Sequence, residues 1–294
     1  MSEIRTFFDS RVEEWDTHRY LDETYIGRGR VALRFLAQAG PGKRVLDLGC
    51  GTGRQSVGLM QAGDLVVSCD FSPEMARAAL ERIRMEVPTA SPAVVVADAT
   101  QLPFRAGSFD AVVALGLVGF IKDRLRLLQE LKSMLRGGGN LVCDAGVPER
   151  EVLFQAISRS ITAPVEAVTD GWNWITRSRK PKAKPTGWYL RNFIKHAPRE
   201  FEQILDGAGF NPVARGGAGF GDLKLGQRAL LPWRVQNWVS RLLSHISVAP
   251  GGGPLARHAL TYVVRSIRYP DVPIRNVEGN RVQQNGCHAP AVRS

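Results

Sequence analysis

The fold of this chain follows from residues 45–53, which read Val45-Leu46-Asp47-Leu48-Gly49-Cys50-Gly51-Thr52-Gly53. The apolar beginning is typical of a buried strand. The alternate glycines allow a tight loop whose backbone can approach a ligand closely. A helix is predicted next, so the loop lies at the carboxyl edge of a sheet, where open α/β folds bind ligands.

Three acids follow the predicted strands in order. Asp47 ends the first strand and points into the loop, whereas Asp70 ends the second, over 65–69. That position is close to the spacing of about 20 residues at which a ribose-binding acid follows a glycine loop, and one carboxylate can accept both ribose hydroxyls. Asp98 follows the third strand, over 93–96. Alone, Asp70 fits a helix cap, Asp98 a turn and the glycine loop a plain tight turn. In this order on one βαβ frame, they indicate a nucleoside site.

Strand and helix patterns alternate along the first half of the chain, which predicts right-handed βαβ units and a parallel sheet. We therefore predict an α/β fold: a doubly wound, Rossmann-like, mostly parallel seven-stranded sheet with helices on both faces, plus a helical insertion or lid. The predicted strands are 44–48, 65–69, 93–96, 109–115, 140–143, 210–214 and 258–269. The predicted helices start at Ser72 or span 122–136, 198–206 and 232–248.

Residues 44–143 resemble the class I S-adenosylmethionine-dependent methyltransferases. The glycines stand as GxGxG, and Arg54 occupies the position where a dinucleotide-binding GxGxxG needs its last glycine. Leu102-Pro103-Phe104 with Ser108-Phe109-Asp110, and Leu135-Arg136-Gly137-Gly138-Gly139, look like two further stretches of the family. The opening, Phe7-Phe8-Asp9-Ser10-Arg11 with Glu14-Trp15-Asp16, is similar to the small-molecule branch that includes quinone and lipid methyltransferases.

The resemblance implies S-adenosylmethionine as cofactor and S-adenosylhomocysteine as product. It implies that the glycines pass under the methionine part, that Asp47 reaches its ammonium directly or through water, and that Asp70 holds the ribose. Phe71 would flank the adenine, which Asp98 and the Ala99 N–H would bind; Leu115 and Leu117 would line the methionine end. The implied cofactor-binding residues are Asp47, Gly49, Cys50, Gly51, Gly53, Asp70, Phe71, Asp98, Ala99 and Leu115.

Methyl transfer from a sulfonium is an in-line displacement that depends mainly on orientation and water exclusion. A general base is needed only if the acceptor must lose a proton first. The sequence offers no clear base, because the segment after the fourth strand, 115–120, is apolar. His18, Asp144 and His196 are the candidates.

The acceptor pocket is expected from the N-terminal segment and residues 151–195. Candidate substrate residues are Tyr20, Tyr25, Trp172, Trp174 and Trp188. The basic run 177–184 suits an anionic head group or, with the helix 232–248, an anionic membrane surface. The alternatives are core packing for the aromatic residues and a solvated loop for the basic run.

We divide the chain accordingly into five parts. They are a helical substrate lid (1–42), the S-adenosylmethionine-binding core (43–147), a basic, Trp-rich substrate cap (148–197), the C-terminal part of the core with an inserted amphipathic helix (198–269), and a disordered tail (270–294).

Composition limits the remaining possibilities. The formal net charge of +11 lies entirely in residues 151–294, which favours an anionic partner or a solvated basic surface. Cys50, Cys69, Cys143 and Cys287 show no metal-ligand spacing and no disulfide-scaffold density, so no metal is expected. With no bilayer-length apolar run and no apolar segment at the N-terminus, we expect a cytoplasmic monomer or homodimer, with peripheral membrane contact as an option.

The sequence therefore predicts methyl transfer to a small, apolar or anionic metabolite such as a polyketide, isoprenoid or lipid-linked acceptor. A nucleic-acid methyltransferase is the first alternative, but the chain lacks an Asn/Asp-Pro-Pro-aromatic tetrapeptide after the fourth strand and any recognisable RNA-binding module. A non-catalytic scaffold is the second, which the intact glycines and acids disfavour. A nicotinamide oxidoreductase is the third, which Arg54 disfavours.

Overall fold

A mostly parallel sheet forms the centre of the molecule in the computed structural model. The structure describes residues 2–15, 22–148, 152–153, 193–220, 224–225, 228–229, 231–249 and 253–269. The strands are β1 (Arg44–Leu48), β2 (Leu65–Asp70), β3 (Ala93–Val96), β4 (Phe109–Ala114), β5 (Leu135–Gly146), β6 (Phe210–Ala218), β7 (Lys224–Leu225), β8 (Arg228–Ala229) and β9 (Thr261–Arg268). Among the described residues, seven strands pair in the order β3-β2-β1-β4-β5-β9-β6, and β7 pairs with β8.

Helices cover both faces of this sheet. They are α1 (Ser2–Asp9), α2 (Val12–Trp15), α3 (Gly27–Ala37), α4 (Arg54–Gln61), α5 (Pro73–Glu86), α6 (Arg124–Met134), α7 (Pro198–Gly207), α8 (Trp233–Ser247) and α9 (Gly253–Ala256), with a π-helical turn at Asp22–Ile26 and a 3-10 turn at Val118–Phe120. One face of the sheet packs against apolar side chains of α6 and α7, and the other against those of α3 and α4. The predicted doubly wound α/β architecture is confirmed.

The helix α5 begins where the sequence predicts it. The Ser72 side chain accepts a hydrogen bond from the Met75 N–H at 3.1 Å, and Pro73 occupies the first turn. A serine cap and an early proline both favour a helix start because they deal with backbone N–H groups that have no partner inside the helix. Met75, Ala79 and Ile83 then lie buried against the sheet. This start fixes the chain directly after Asp70.

The strand β5 is longer than predicted. It spans Leu135–Gly146 rather than 140–143, and α6 ends at Met134 instead of Arg136. Phe109 pairs with Leu135 whereas Ala111 pairs with Asn140, so the glycine-rich segment between them bulges out of register. Glycine without a side chain permits such a bulge, and this is why the glycines did not mark a clean helix stop.

One edge of the sheet turns antiparallel. β9 lies between β5 and β6 and runs against both, with Thr261 opposite Gly146 on one side and Ala218 on the other. β6 extends to Ala218, beyond the predicted end at residue 214. β9 begins at Thr261, not at residue 258, because α9 and a turn closed by the Ala259 N–H on the Ala256 carbonyl occupy the preceding residues. The sequence pattern of β9 continues into the residues of that turn, so the sequence did not distinguish the turn from the strand.

The carboxyl ends of β1, β2, β4 and β5 meet at one edge of the sheet, as parallel strands require. In the part of the chain that the structure describes, no helix is long and apolar enough to cross a membrane. The predicted domain limits stay predictions. The tail 270–294 and most of the insertion 148–197 lie outside the described residues, as do His18, Tyr20, Trp172, Trp174, Trp188 and the basic run 177–184.

Candidate active site

A cavity of about 610 Å³ opens at the carboxyl edge of the sheet. Its size falls in the range of roughly 300–1,000 Å³ that is usual for small-molecule sites. The β1–α4 loop, the ends of β2 and β3, the segment after β4, and the N-terminal helices all contribute to its wall. The lining residues are Ile4, Phe7, Phe8, Arg11, Glu14, Trp15, Thr24, Tyr25, Arg28, Leu48, Gly49, Gly51, Asp70, Phe71, Met75, Ala97, Asp98, Ala99, Leu115, Gly116, Leu117, Phe120, Ile121, Asp144, Gly146, Phe193, Lys195, Leu260 and Thr261.

The three glycines of the β1–α4 loop serve two different purposes. Gly49 and Gly51 line the cavity, whereas Gly53 does not. A Cβ on Gly51 would lie 3.6 Å from Trp15 Nε1 and would occupy space on the ligand side of the loop. A Cβ on Gly53 would lie 2.8 Å from the Ala79 backbone, so this glycine lets α5 approach the loop. The loop therefore presents bare backbone to a ligand at its first two glycines.

Asp70 lies beside this backbone and keeps hydrogen-bonding capacity. Its Oδ2 accepts from the Gly51 N–H at 2.8 Å and its Oδ1 from the Ser72 N–H at 2.9 Å. A carboxylate has about four acceptor sites, so acceptor capacity remains for ligand hydroxyls. Burial raises the pKa of Asp70, while these backbone hydrogen bonds oppose the shift. Loop backbone without side chains, beside a carboxylate held in place as a hydrogen-bond acceptor, fits the sugar of a nucleoside.

The residues predicted for the adenine lie together at one end of the cavity. Asp98 Oδ1 accepts from both the backbone N–H and the hydroxyl of Thr100, each at 2.8 Å, which fixes the carboxylate. The Arg5 guanidinium lies 4.5 Å from the centre of the Phe71 ring, on one of its faces. Phe71, Asp98 and Ala99 all line the cavity. The set offers an aromatic ring and a carboxylate to a flat heterocycle.

Asp47 and Cys50 lie outside the cavity lining. Asp47 is 3% exposed, and its Oδ2 accepts from the Ser56 hydroxyl at 2.6 Å, which in turn accepts from the Ser68 hydroxyl at 2.8 Å. Burial raises the pKa of Asp47 to about 7. The structure places this carboxyl group behind the loop, so its predicted contact with a ligand ammonium stays a prediction.

Arg28 and Asp144 form an ion pair in the cavity wall. Arg28 Nη1 lies 3.2 Å from Asp144 Oδ2, and the Gly116 N–H donates to Asp144 Oδ1. Burial raises the pKa of Asp144, and the nearby Arg28 charge opposes that shift. Both carboxylate oxygens have partners, so Asp144 holds Arg28 in position, and its predicted role as a general base stays a prediction.

The sequence reasoning missed Arg28, although a signal existed. Arg28, Val31, Ala32 and Phe35 follow the i, i+3, i+4, i+7 spacing that marks one face of a helix, and the last three are buried. An arginine on the inward face of an amphipathic helix needs an anionic partner. Asp144 is that partner.

Of the two histidine candidates, the structure describes His196, which does not line the cavity. His196 is 5% exposed, lies outside the cavity lining, and has its Nδ1 3.1 Å from Glu200 Oε1. Its ring also stacks on Phe201 at 6.3 Å. His196 thus packs at the start of α7, outside the cavity wall, and its predicted catalytic role stays a prediction. His18 lies outside the described residues.

An aromatic wall faces the pair from the N-terminal helices. The Trp15 Nε1–H donates to the Tyr25 hydroxyl at 3.1 Å, and Phe8 contacts Trp15 edge-on with ring centres 5.4 Å apart. Phe120 continues the wall, 5.7 Å from Phe8 and 5.0 Å from Phe193. Of the predicted substrate residues that the structure describes, Tyr25 lines the cavity. The sequence reasoning missed Phe8 and Phe120 as parts of this wall because they come from separate segments.

Metal and thiol chemistry find no support in the residues described. The residues that the structure describes contain no group of three or more His, Cys, Asp or Glu side chains that could hold a metal ion. Cys50, Cys69 and Cys143 are buried. Burial raises the pKa of all three thiols, that of Cys69 to about 12. Since the thiolate is the nucleophile, these cysteines act as small apolar core residues.

Comparisons with known proteins agree with this geometry. Residues 46–143 match the family model of a methyltransferase domain. A demethylmenaquinone methyltransferase of Mycobacterium sp. (strain KMS) is 34% identical over 60% of this chain and 77% of its own length. A demethylmenaquinone methyltransferase of Streptomyces avermitilis is 32% identical over 72% of this chain and 87% of its own.

Solved structures show the same fold. Magnesium protoporphyrin IX methyltransferase from Synechocystis PCC 6803, with bound S-adenosylhomocysteine, superposes with a TM-score of 0.58 at 17% identity, covering 91% of this chain and 99% of the other. The glycine cradle and the acid beside it fit the cofactor of these proteins. The chain therefore belongs to the class I S-adenosylmethionine-dependent methyltransferases, in the branch that methylates small molecules.

Proposed function

We propose that the acceptor is a small, apolar ring compound that carries an acidic hydroxyl group, such as a demethylated quinol. The observation that carries this proposal is the Arg28 guanidinium, held by Asp144 in a cavity wall otherwise rich in aromatic and aliphatic side chains. A fixed cation in a largely apolar site attracts an anion and leaves the rest of the acceptor to apolar contacts.

Arg28 is suited to stabilise an oxyanion on the acceptor. Its position is set by the Asp144 carboxylate and by the Tyr25 ring, whose centre lies 4.7 Å from the guanidinium carbon. A preorganised donor of this kind acts on negative charge that develops at the acceptor as its hydroxyl ionises. Ionisation assisted in this way removes the need for a histidine base. The hydroxyl proton of the acceptor is released to bulk solvent before the methyl group is transferred, and Asp144 keeps Arg28 in position.

S-adenosylmethionine, when bound, supplies an electrophilic methyl group on its sulfonium. We propose that Gly49 and Gly51 support it through backbone, that Asp70 accepts from its ribose, and that Phe71 and Asp98 hold its adenine. Leu115 and Leu117 then lie at the methionine end. The aromatic wall of Phe8, Trp15, Tyr25, Phe120 and Phe193 covers the acceptor and excludes water, which protects an in-line displacement.

The curated relatives support a quinone-type acceptor. The Mycobacterium and Streptomyces proteins are named for demethylmenaquinone, a ring compound that would meet the apolar wall described above. We extend this acceptor class to the present chain. A biosynthetic role in the cytoplasm is the corresponding expectation, and the basic run 177–184 stays a candidate contact for an anionic head group.

The test is methyl transfer with labelled S-adenosylmethionine. Wild-type protein is offered demethylmenaquinone in its reduced and oxidised forms and, separately, bulk RNA. We expect label on the reduced quinone, and a turnover about 100-fold lower for Arg28→Gln, the loss usual when one oxyanion donor is removed.

Arg34→Gln is the matched control, because Arg34 lies exposed on the same helix. Its turnover should equal that of the wild type. Label on RNA alone, or equal turnover for Arg28→Gln and the wild type, would overturn the proposal.

A further inference from the structure

The helix α8 buries polar side chains and exposes apolar ones, the reverse of an ordinary surface helix. Its buried side chains are small or polar, namely Gln236, Ser240, Ser244 and Ser247. Large apolar side chains lie on its solvent side, where Trp238 is 64% exposed. A helix on a globular protein usually buries its apolar stripe against the core. The arrangement in α8 therefore needs an explanation outside the fold itself.

Specific hydrogen bonds fix this orientation. The Gly217 N–H donates to the Ser247 hydroxyl oxygen at 2.9 Å, and the Phe220 N–H donates to the Ser240 hydroxyl oxygen at 3.0 Å. The Gln236 side-chain amide donates to the Leu231 carbonyl at 2.8 Å. Turning the helix to bury its apolar side would leave these buried backbone groups unsatisfied, which is unfavourable. The exposed face of α8 is thus built into the structure.

We call this the outer face of α8, formed by Arg234, Val235, Trp238, Arg241, Leu242, His245 and Ile246, all of which are exposed. The four apolar members follow one another at steps of three and four residues, so they form a single stripe. The basic members and His245 border that stripe. The helix Trp233–Ser247 contains no acidic residue.

We propose that the outer face of α8 docks onto an anionic lipid bilayer. Helices that lie in a membrane interface combine an apolar face carrying Trp or Leu with a basic polar face, and bind through both. Tryptophan is enriched at the membrane–water interface. Charge complementarity selects the anionic surface, because the formal net charge of +11 lies entirely in residues 151–294, to which α8 belongs. The lack of acids in α8 removes repulsion from lipid phosphates.

The location of α8 relates this surface to the active site. α8 packs against α3, which carries Arg28, and against the turn Asp22–Ile26. That turn places Thr24 and Tyr25 in the cavity wall. A bilayer on the outer face would therefore be separated from the cavity wall by the elements on which α8 packs, α3 and the turn Asp22–Ile26. The proposal does not depend on the identity of the acceptor.

Co-sedimentation of the full chain with lipid vesicles tests the proposal. One vesicle contains phosphatidylcholine alone and the other an equal mixture of phosphatidylcholine and phosphatidylglycerol. We expect binding to the mixed vesicles that weakens as salt is added. The double variant Trp238→Ser/Leu242→Ser should lower the partition coefficient by at least about tenfold, because both side chains lose their apolar contact with lipid.

The control is Met85→Ser, which removes an apolar side chain that is 78% exposed on α5. It should bind vesicles as the wild type does. A thermal shift with S-adenosylhomocysteine shows that each variant is folded. Because this readout needs neither lipid nor a methyl acceptor, it also distinguishes a failure of vesicle binding from a failure of the proposed methyl transfer.

Three results would overturn the proposal. The first is equal vesicle binding by the double variant and the wild type. The second is a wild-type dimer in light scattering that the double variant converts to monomer, because a second copy would then cover the outer face. The third is a monomer that binds neither vesicle, which would mean that residues 270–294 cover the face or that it stays in water.

Discussion

Arg28 and Asp144 lie 116 positions apart in the chain, yet Nη1 of one is 3.2 Å from Oδ2 of the other. The pair joins α3 to the end of β5 at the wall of the cavity. The side chains are 13% and 3% exposed, so little solvent separates them. Their interaction places a cation in the cavity wall and joins α3 to the sheet.

A double-mutant cycle tests this coupling. Asp144→Asn and Arg28→Gln should each lower the free energy of unfolding by about 2–4 kcal/mol, because each leaves a mostly buried charge without its partner. The double variant should lose less than the sum of the two, by about 1–3 kcal/mol. Urea unfolding of the four proteins measures the difference. Strict additivity would mean that the ion pair contributes no coupling.

Asp47 makes stability depend on pH. Burial raises its folded-state pKa to about 7 from an ordinary value of 3.8, so the folded protein holds this proton more tightly than the unfolded chain. The stabilisation is complete below pH of about 4 and is lost as pH rises through about 7. Asp47→Asn removes this titration. Relative to wild type, the variant should gain stability between those pH values, by at most about 4 kcal/mol.

The measurement is urea unfolding of both proteins at several pH values from about 4 to about 8. Glu81→Gln, on the exposed side of α5, is the control. Its free energy of unfolding should change with pH in parallel with that of the wild type. A stability difference between Asp47→Asn and wild type that stays constant across this range would show that Asp47 does not titrate as described.

Gly53 is required for packing as well as for backbone conformation. Its φ of +79° already disfavours a side chain, and an added Cβ would lie 2.8 Å from the Ala79 backbone on α5. Gly53→Ala should therefore lower the free energy of unfolding by about 3 kcal/mol, of which left-handed strain accounts for about 1–2 kcal/mol. Gly107→Ala separates the two effects, since Gly107 has φ +66° and open space around it. Equal losses in both variants would rule out the clash.

The N-terminal helices should hold the cofactor in place. Trp15 donates to the Tyr25 hydroxyl directly over Gly51. Tyr25→Phe removes that acceptor and should raise the dissociation constant of S-adenosylhomocysteine by about 3–10-fold, the value of one ordinary hydrogen bond. Calorimetry measures the constant. Tyr269→Phe, remote from the cavity and bonded to Asp206, should bind normally; an unchanged Tyr25→Phe would show that this contact does not retain the ligand.

Much of the fold, together with the glycine loop and Asp70, was predictable because the sequence patterns that mark them are local. Gly49, Gly51 and Asp70 stand within one strand–loop–helix–strand unit, so spacing along the chain places them together. The helix start at Ser72 is likewise encoded in adjacent residues.

The part of the cavity wall that contains Arg28 and the aromatic side chains was less predictable because it is assembled from distant segments. Arg28 meets Asp144, and Phe120 meets Phe193, only once the helices have packed on the sheet. The amphipathic helix predicted over 232–248 is present as α8. The sequence did not reveal that its apolar side faces outward, because that depends on serine hydrogen bonds to the end of β6 and to Phe220.

The central claim is that a sulfonium nucleoside binds against the Gly49–Gly51 backbone, with its sugar held by Asp70. Isothermal titration of S-adenosylhomocysteine and of NAD into wild type, Asp70→Asn and the distant control Glu86→Gln tests it most directly. We expect S-adenosylhomocysteine to bind wild type and the control alike, to bind Asp70→Asn at least about tenfold more weakly, and NAD to bind none of them. Equal affinity in Asp70→Asn and wild type, or binding of NAD in preference to S-adenosylhomocysteine, would contradict the claim.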